Sequence, residues 1–336
     1  MMAVARAVHS ATRLRDGRIL VAGGCSTNGC DLGSAGGSTA ELFDPLQERF
    51  EPTGSLTVSR DDHAAVLMPD GRVMLIGGWA ATGLLATTDI YDPATGTFSP
   101  GPTMRSGRAG IVPVTLDDGE LLLAGGFIGN RPTTAAAEIF DPRRGTMRST
   151  GDMSTGRGAY AAARLSDGRV LIAGGLSDGL VTASAELYDP ATGTFAATGS
   201  MRTARYKGGT TALADGTILV FGGSGDIDGT ILFASTEIYD PTTGAFLDGP
   251  TMRAPRYKLP EASVAFPGGD VLVAGGAPQP ELYRGASRSF EPVAGSLGAT
   301  RLFLTATGID DHRALLVGGY DRAIRPTAQA WLFTEP

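Results

Sequence analysis

Side chains that bind metals are scarce: the 336 residues include three histidines and two cysteines. The cysteines, Cys25 and Cys30, share the loop "GGCSTNGCDLGS". Zinc wants four ligands and the histidines lie elsewhere in sequence, so this pair alone is a poor metal site. A disulfide, two free thiols and a chance spacing all stay open. Basic residues are also few, 28 Lys and Arg against 35 Asp and Glu, for a net charge of −7. Phosphate contacts require a basic footprint, so neither nucleic acid nor an anionic membrane is an expected partner. No run approaches the roughly 18 apolar residues of a membrane span. The opening "MMAVARAVHSATRL" has no apolar block between a basic start and a cleavage site, so no signal peptide is read. The expectation is a soluble chain, cytoplasmic or exported with its signal removed.

Glycine is abundant. With 49 Gly and 20 Pro, 42% apolar and 19% charged residues, the chain reads as many short strands joined by turns and not as disorder or collagen. The class is all-β. Length alone would suggest two domains, but a repeat overrides that expectation.

A Gly-Gly doublet closes an apolar run seven times, at Gly23, Gly77, Gly125, Gly174, Gly222, Gly275 and Gly318, spaced 43 to 54 residues apart. Such a period is the signature of propeller blades. A tight turn such as "RDGR" or "SDGR" precedes each doublet, which makes strands A and B a hairpin. A third strand follows with an acid near its middle, as in "AELFDP" and "TEIYDP", and five of these end in Asp-Pro, where proline breaks the ladder into a turn. Segments such as "ATGTF" then lead into strand D, giving four strands per unit.

The doublets, the Tyr or Phe of strand C and "DPATGTF" together resemble the kelch repeats of bacterial proteins over essentially the whole chain. The resemblance implies one seven-bladed β-propeller domain, 1–336, with blades at about 1–54, 55–102, 103–151, 152–199, 200–250, 251–295 and 296–336. It implies no function, because the family includes scaffolds, binders and enzymes. Since "WLFTEP" stops where strand D should begin, and "MMAVAR" starts just ahead of strand A, blade seven is expected to have three strands. Either the chain is a fragment or the ring closes by face-to-face packing.

An Arg precedes every strand A: Arg6, Arg60, Arg108, Arg157, Arg205, Arg256 and Arg301. Six C strands carry an acid, Glu41, Asp89, Glu138, Glu186, Glu237 and Glu281, so inter-blade ion pairs are expected. Blade seven has Trp331 there, leaving Arg301 available to a ligand. His9 and His63 stand three residues after their Arg; a hydrogen-bonded structural role is the favoured reading, with His63 kept as a ligand-binding candidate beside Tyr160 in the same register.

Against this frame the repeated "RYK" stands out. Tyr206-Lys207 and Tyr257-Lys258 occupy equivalent points on adjacent blades, at the end where the post-doublet loops also lie. Glu261, five residues after its Arg, takes a place that is small or apolar in the other blades. A lone carboxylate in an inner strand has its pKa pushed upward unless it is paired. Glu261, Tyr206, Tyr257, Lys207 and Lys258 are therefore the catalytic candidates. Blade packing by the tyrosines, and a Glu261 bonded to backbone, weigh about equally. The loops add Trp79, Phe127, Arg131, Asp226, Asp228, Tyr320, Asp321 and Arg322, a mixed aromatic and polar wall suited to sugars or polycyclic molecules.

Galactose-oxidase-like kelch enzymes bind copper through two His and two Tyr. Here two histidines sit at framework positions and His312 lies in an A–B turn, so no metal is expected. No phosphate loop, zinc spacing or nucleophile elbow is present, so no cofactor is expected. Two functions compete ahead of a bare scaffold: a cofactor-free lyase, isomerase or cyclase, as kelch sugar epimerases illustrate by resemblance, and a non-catalytic carbohydrate or protein binder. A monomer is expected.

Overall fold

The computed structural model describes residues 1–30 and 35–335. Blade one runs Ser10–Arg13, Ile19–Ala22, Ala40–Asp44 and Arg49–Pro52 as strands A to D, hydrogen-bonded antiparallel in that order. Blades two to six repeat the order, with A strands Ala64–Leu67, Val114–Thr115, Ala161–Arg164, Gly209–Ala212 and Ser263–Ala265. Blade seven has three strands, Thr305–Gly308, Arg313–Val317 and Ala330–Thr334. The A strands of adjoining blades touch around a central channel, and those of blades one and seven meet directly. The protein is an all-β, seven-bladed propeller with a three-stranded last blade.

Each B strand is a buried apolar run such as Ile19–Ala22, because blades pack on both of its faces. Strand C lends its aromatic residue to the same layer. Tyr91 stacks on Phe98 at 4.8 Å and shares a hydrogen bond with Thr53 of the preceding blade at 2.9 Å. Tyr188 with Thr150, and Tyr239 with Thr198, repeat that link at 2.8 Å.

The Gly-Gly doublets make the seams. The amide of the second glycine donates to the ring-Arg carbonyl of the next blade, from Gly24 to Arg60 at 2.9 Å through to Gly319 to Arg6 at 3.0 Å, which closes the ring. At Gly23, φ is 66° and a Cβ would lie 2.7 Å from the Arg60 carbonyl oxygen, so both conformation and space demand glycine.

The expected inter-blade ion pairs prove to lie inside single blades. Arg6 meets Glu41 at 2.9 Å, Arg157 meets Glu186 at 3.0 Å and Arg256 meets Glu281 at 2.8 Å, all buried, and Arg60, Arg108 and Arg205 pair likewise with Asp89, Glu138 and Glu237. The acid also accepts amides from the segment that arrives from the preceding blade, as Glu186 does from Ser154 at 2.7 Å. Each pair thus clamps the incoming crossover to its own strand C, while the Arg carbonyl joins the blades. In blade seven Arg301 lies over the Trp331 ring, 5.8 Å from its centroid, and donates to Gln329 at 3.2 Å. Cys25 and Cys30 are disulfide-bonded, with Cα atoms 5.1 Å apart. No helix among the described residues is long and apolar enough to cross a membrane.

Candidate channel site

The candidate site is built where strand A begins. Two residues after the ring Arg, every blade places a residue in the left-handed region: Val8, Asp62, Gly110, Ala159, Lys207, Lys258 and Phe303, with φ from 48° to 62°. That conformation strains any residue with a Cβ. Here it is over-determined by a chain of amides. Asp62 donates to the Val8 carbonyl at 3.1 Å, Gly110 to Asp62 at 3.4 Å, and Ala159, Lys207 and Lys258 each to the preceding collar residue at 2.9 Å, with Phe303 to Lys258 at 3.1 Å. The result is a rigid collar of backbone carrying one carboxylate, two ammonium groups and one aromatic ring.

Both ammoniums lie against aromatic faces. Lys207 Nζ is 5.4 Å from the Tyr206 ring centroid and 5.6 Å from that of Phe303. Lys258 Nζ lies 5.0, 5.5 and 5.1 Å from the centroids of Tyr257, Phe303 and Tyr320, and donates to the Tyr320 hydroxyl at 2.6 Å. Among the described residues no carboxylate is within salt-bridge distance of either. Burial lowers the pKa of Lys207, with Asp62 opposing. Burial, then repulsion from Lys207, brings Lys258 down to about 8. Burial raises Asp62 to about 6 while the two lysines pull it back.

Below the collar lies a chamber of about 100 Å³, walled by Val8, Ile111, Tyr160, Phe303 and Leu304 and bordered by Asp62, Lys207 and Glu261. Glu261 also borders a lower cleft of about 420 Å³, so it is the floor between two cavities and keeps some accessible surface on that account. It was expected within an inner strand. Instead Pro260 and Glu261 form a turn and strand A starts only at Ser263, because proline has no N–H for the ladder. The turn points the carboxylate toward the Ala11 amide of blade one, and Oε2 has no partner. Burial raises Glu261 to about 7, against the single opposing pull of that amide. Above the collar a vestibule of about 410 Å³ is lined by Trp79, Phe127, Arg131, Tyr206 and Asp228, again with Asp62 and Lys207.

A family model for the Kelch motif matches residues 63–105, strands A to D of blade two. The same pattern of doublet, clamp and strand-C aromatic recurs around the ring. This chain is a kelch-repeat propeller. Among curated proteins none matches it.

The kelch framework accounts for several candidates. His63 Nε2 hydrogen-bonds Ser10 at 2.9 Å and His9 Nε2 bonds Thr305 at 3.0 Å, each a link to the preceding blade. Burial and the ring arginines hold both imidazoles neutral, His63 at about 3. Tyr160 gives its ring to the chamber, but its hydroxyl donates to the Ala124 carbonyl at 2.5 Å, and burial raises it to about 12. Tyr206 borders the vestibule and donates to the Ile227 carbonyl at 2.7 Å. Tyr257 packs edge-on against Tyr206 at 6.1 Å, in a cluster with Phe127 and Leu176, and does not border the chamber. Burial raises both tyrosines. Tyr320 is buried as the acceptor for Lys258. Arg301 does not border the chamber or vestibule. Asp226 holds Thr230 and Ser224, and Asp321 pairs with Arg325 at 2.6 Å. The kelch propeller therefore brings Glu261 and Lys207 to one chamber, sets Lys258 beside it and leaves the tyrosine hydroxyls in the loops. Sequence reasoning missed Asp62 and Phe303, although both hold the register position of the two lysines. No group of three or more His, Cys, Asp or Glu is placed to hold a metal among the described residues.

Proposed function

We propose that this propeller is a small-molecule enzyme whose chamber performs acid–base chemistry without a cofactor, of lyase, isomerase or cyclase type. The observation that carries the proposal is Glu261: a residue bordering the same chamber as Lys207, its carboxyl raised to about 7 by burial and its buried Oε2 unpartnered. A carboxyl poised near neutrality both takes and returns a proton, which gives such a group its catalytic efficiency. Lys207, a cation in a largely desolvated site, stabilises negative charge that develops on a substrate oxygen when a neighbouring C–H is deprotonated. The chamber holds several waters or a reacting group of a few heavy atoms, and the vestibule takes the remainder of a larger ligand.

The test is solvent exchange. Incubated in D2O with a panel of small carbonyl and hydroxy acids and sugar acids, the protein should move deuterium into one carbon position of a panel member, read by proton NMR. E261Q keeps the shape and removes the titrating group, and should lower that rate at least about a hundredfold while the ligand still binds. If E261Q binds and exchanges like the wild type, the acid–base role is wrong. Binding with no exchange across the panel supports the alternative, a non-catalytic binder of carbohydrate or protein at the same mouth.

A further inference from the structure

We infer that the collar recognises a carboxylate: Lys207 and Lys258 together hold the single carboxylate of a ligand whose body, apolar and poor in hydroxyls, occupies the chamber above Glu261. The inference rests on the chamber being the ligand site and specifies the class of ligand.

Three observations lead there. First, two cations stand on neighbouring blades with their ammoniums within 5.6 Å of one ring, Phe303, and neither has a carboxylate at contact distance among the described residues. Lys258 gives one proton to Tyr320 and has two left, while the Lys207 ammonium makes no hydrogen bond among the described residues. The collar amides from Asp62 to Phe303 are spent on the ring of carbonyls, so the ammoniums are the strong donors available.

Second, the charges select a monoanion. Two lysines and Asp62 sum to one positive charge at the collar, which a single carboxylate neutralises while the Glu261 carboxyl on the chamber floor is protonated. A phosphate dianion would leave an excess negative charge in a desolvated ring. Asp61, next in sequence, lies outside the chamber and vestibule linings, and Lys258 also lies outside them but sets its ammonium against the chamber residue Phe303. Arg131 and Asp228 in the vestibule offset each other in formal charge.

Third, the wall offers little to hydroxyl groups. Thr210 donates to the Leu219 carbonyl at 3.2 Å, Thr305 is bonded to His9, and the Tyr160 hydroxyl is bonded to Ala124. The rest of the wall is mostly apolar, with Val8, Ile111, Val112, Leu304 and Phe303 prominent, and its charged members are Asp62, Lys207 and Glu261. A sugar buried there would find hydroxyl partners only at Asp62 and Glu261 and would leave most of its hydroxyls unpaired, a cost that an apolar body avoids. The narrowing from "sugar or polycyclic" to a monocarboxylate follows from these occupied groups.

The experiment is ligand-observed NMR titration of the full chain with butyrate, benzoate, inorganic phosphate and glucose at pH 7. Butyrate or benzoate should bind more tightly than phosphate or glucose. K207M and K258M should each weaken that binding by about tenfold or more, the worth of a charge-assisted hydrogen bond. D62N removes the compensating charge and should tighten it, an outcome that misfolding does not produce. Glucose or phosphate binding more tightly than both carboxylates would overturn the inference, as would carboxylate affinity unchanged in K207M and K258M. E261Q separates this inference from the acid–base proposal. Lysine-dependent carboxylate binding with no exchange chemistry keeps the collar site and removes the enzyme. Glu261-dependent exchange on a neutral compound, without carboxylate binding, does the reverse.

Discussion

The amide of Lys258 donates to the carbonyl of Lys207 at 2.9 Å, and both residues hold a left-handed backbone, with φ of 62° and 53°. The two lysines are thus registered to each other by the main chain before their side chains act. A left-handed Cβ costs about 1 kcal/mol, and glycine escapes it. K258G should therefore be more stable than K258A by roughly that amount, less glycine's own unfolded-state entropy. Urea denaturation of the pair decides it; the comparison cancels loss of the ammonium. If K258A is the more stable, the collar conformation is not strained at this position.

The clamps should differ sharply between blades. R157M leaves Glu186 buried without its cation and should cost roughly 3–5 kcal/mol. R301M removes a ring contact and one hydrogen bond from a partly exposed site and should cost about 1 kcal/mol or less. Equal losses in thermal or urea unfolding would show that Arg301 carries a clamp that its contacts do not reveal.

Sequence periodicity disclosed the ring because each blade repeats a local chemistry: a glycine that must be left-handed, an Arg and acid to be paired, an aromatic for the buried layer. It did not disclose which pairs cross a seam. Arg157 and Glu186 are 29 residues apart within one blade, yet the residue that joins blades at that point is the Arg157 carbonyl, which has no side-chain signature. The site was half legible. Lys207, Lys258 and Glu261 stood out as departures from the repeat, and Asp62 and Phe303 occupy the same register but resemble ordinary surface and core residues until the collar brings them together. The hydroxyl of Tyr206 depends on where the Ile227 carbonyl falls, and periodicity is silent on loops.

Acidity should be visible in stability. Glu261 is raised to about 7 in the folded chain from about 4.3 in an unfolded one. The folded state then binds the extra proton between those values, so the contribution is fully present below about pH 4.3 and is lost as pH rises through 7. Asp61 and Asp62, raised to about 7 and 6, add slope of the same sign. E261Q mimics the protonated acid. It should match the wild type near pH 4.5 and exceed it at pH 8 by up to roughly 3 kcal/mol, in urea unfolding at the two pH values. A difference that does not change with pH would place the Glu261 pKa near its ordinary value.

The burial that raises this acid should depend on Pro260. In the other blades strand A begins four to six residues after the ring Arg, whereas in blade six the Pro260–Glu261 turn delays it to Ser263, seven residues on, and aims the carboxylate toward the Ala11 amide. Restoring an N–H with P260A lets the ladder start earlier, which turns position 261 toward the small-residue place that Ala65 and Ala162 hold in their own strands. The Glu261 carboxyl then loses its place at the floor and regains solvent. Followed by carbon-13 NMR of labelled glutamate across a pH titration, with E261Q assigning the signal, its midpoint should fall from about 7 toward the ordinary carboxylate range in P260A. The Ala11 amide contact should be lost with it, seen as a shift of that amide resonance. A midpoint that stays near 7 in P260A, with the protein folded, would mean that the chamber itself and not the proline turn raises the acid.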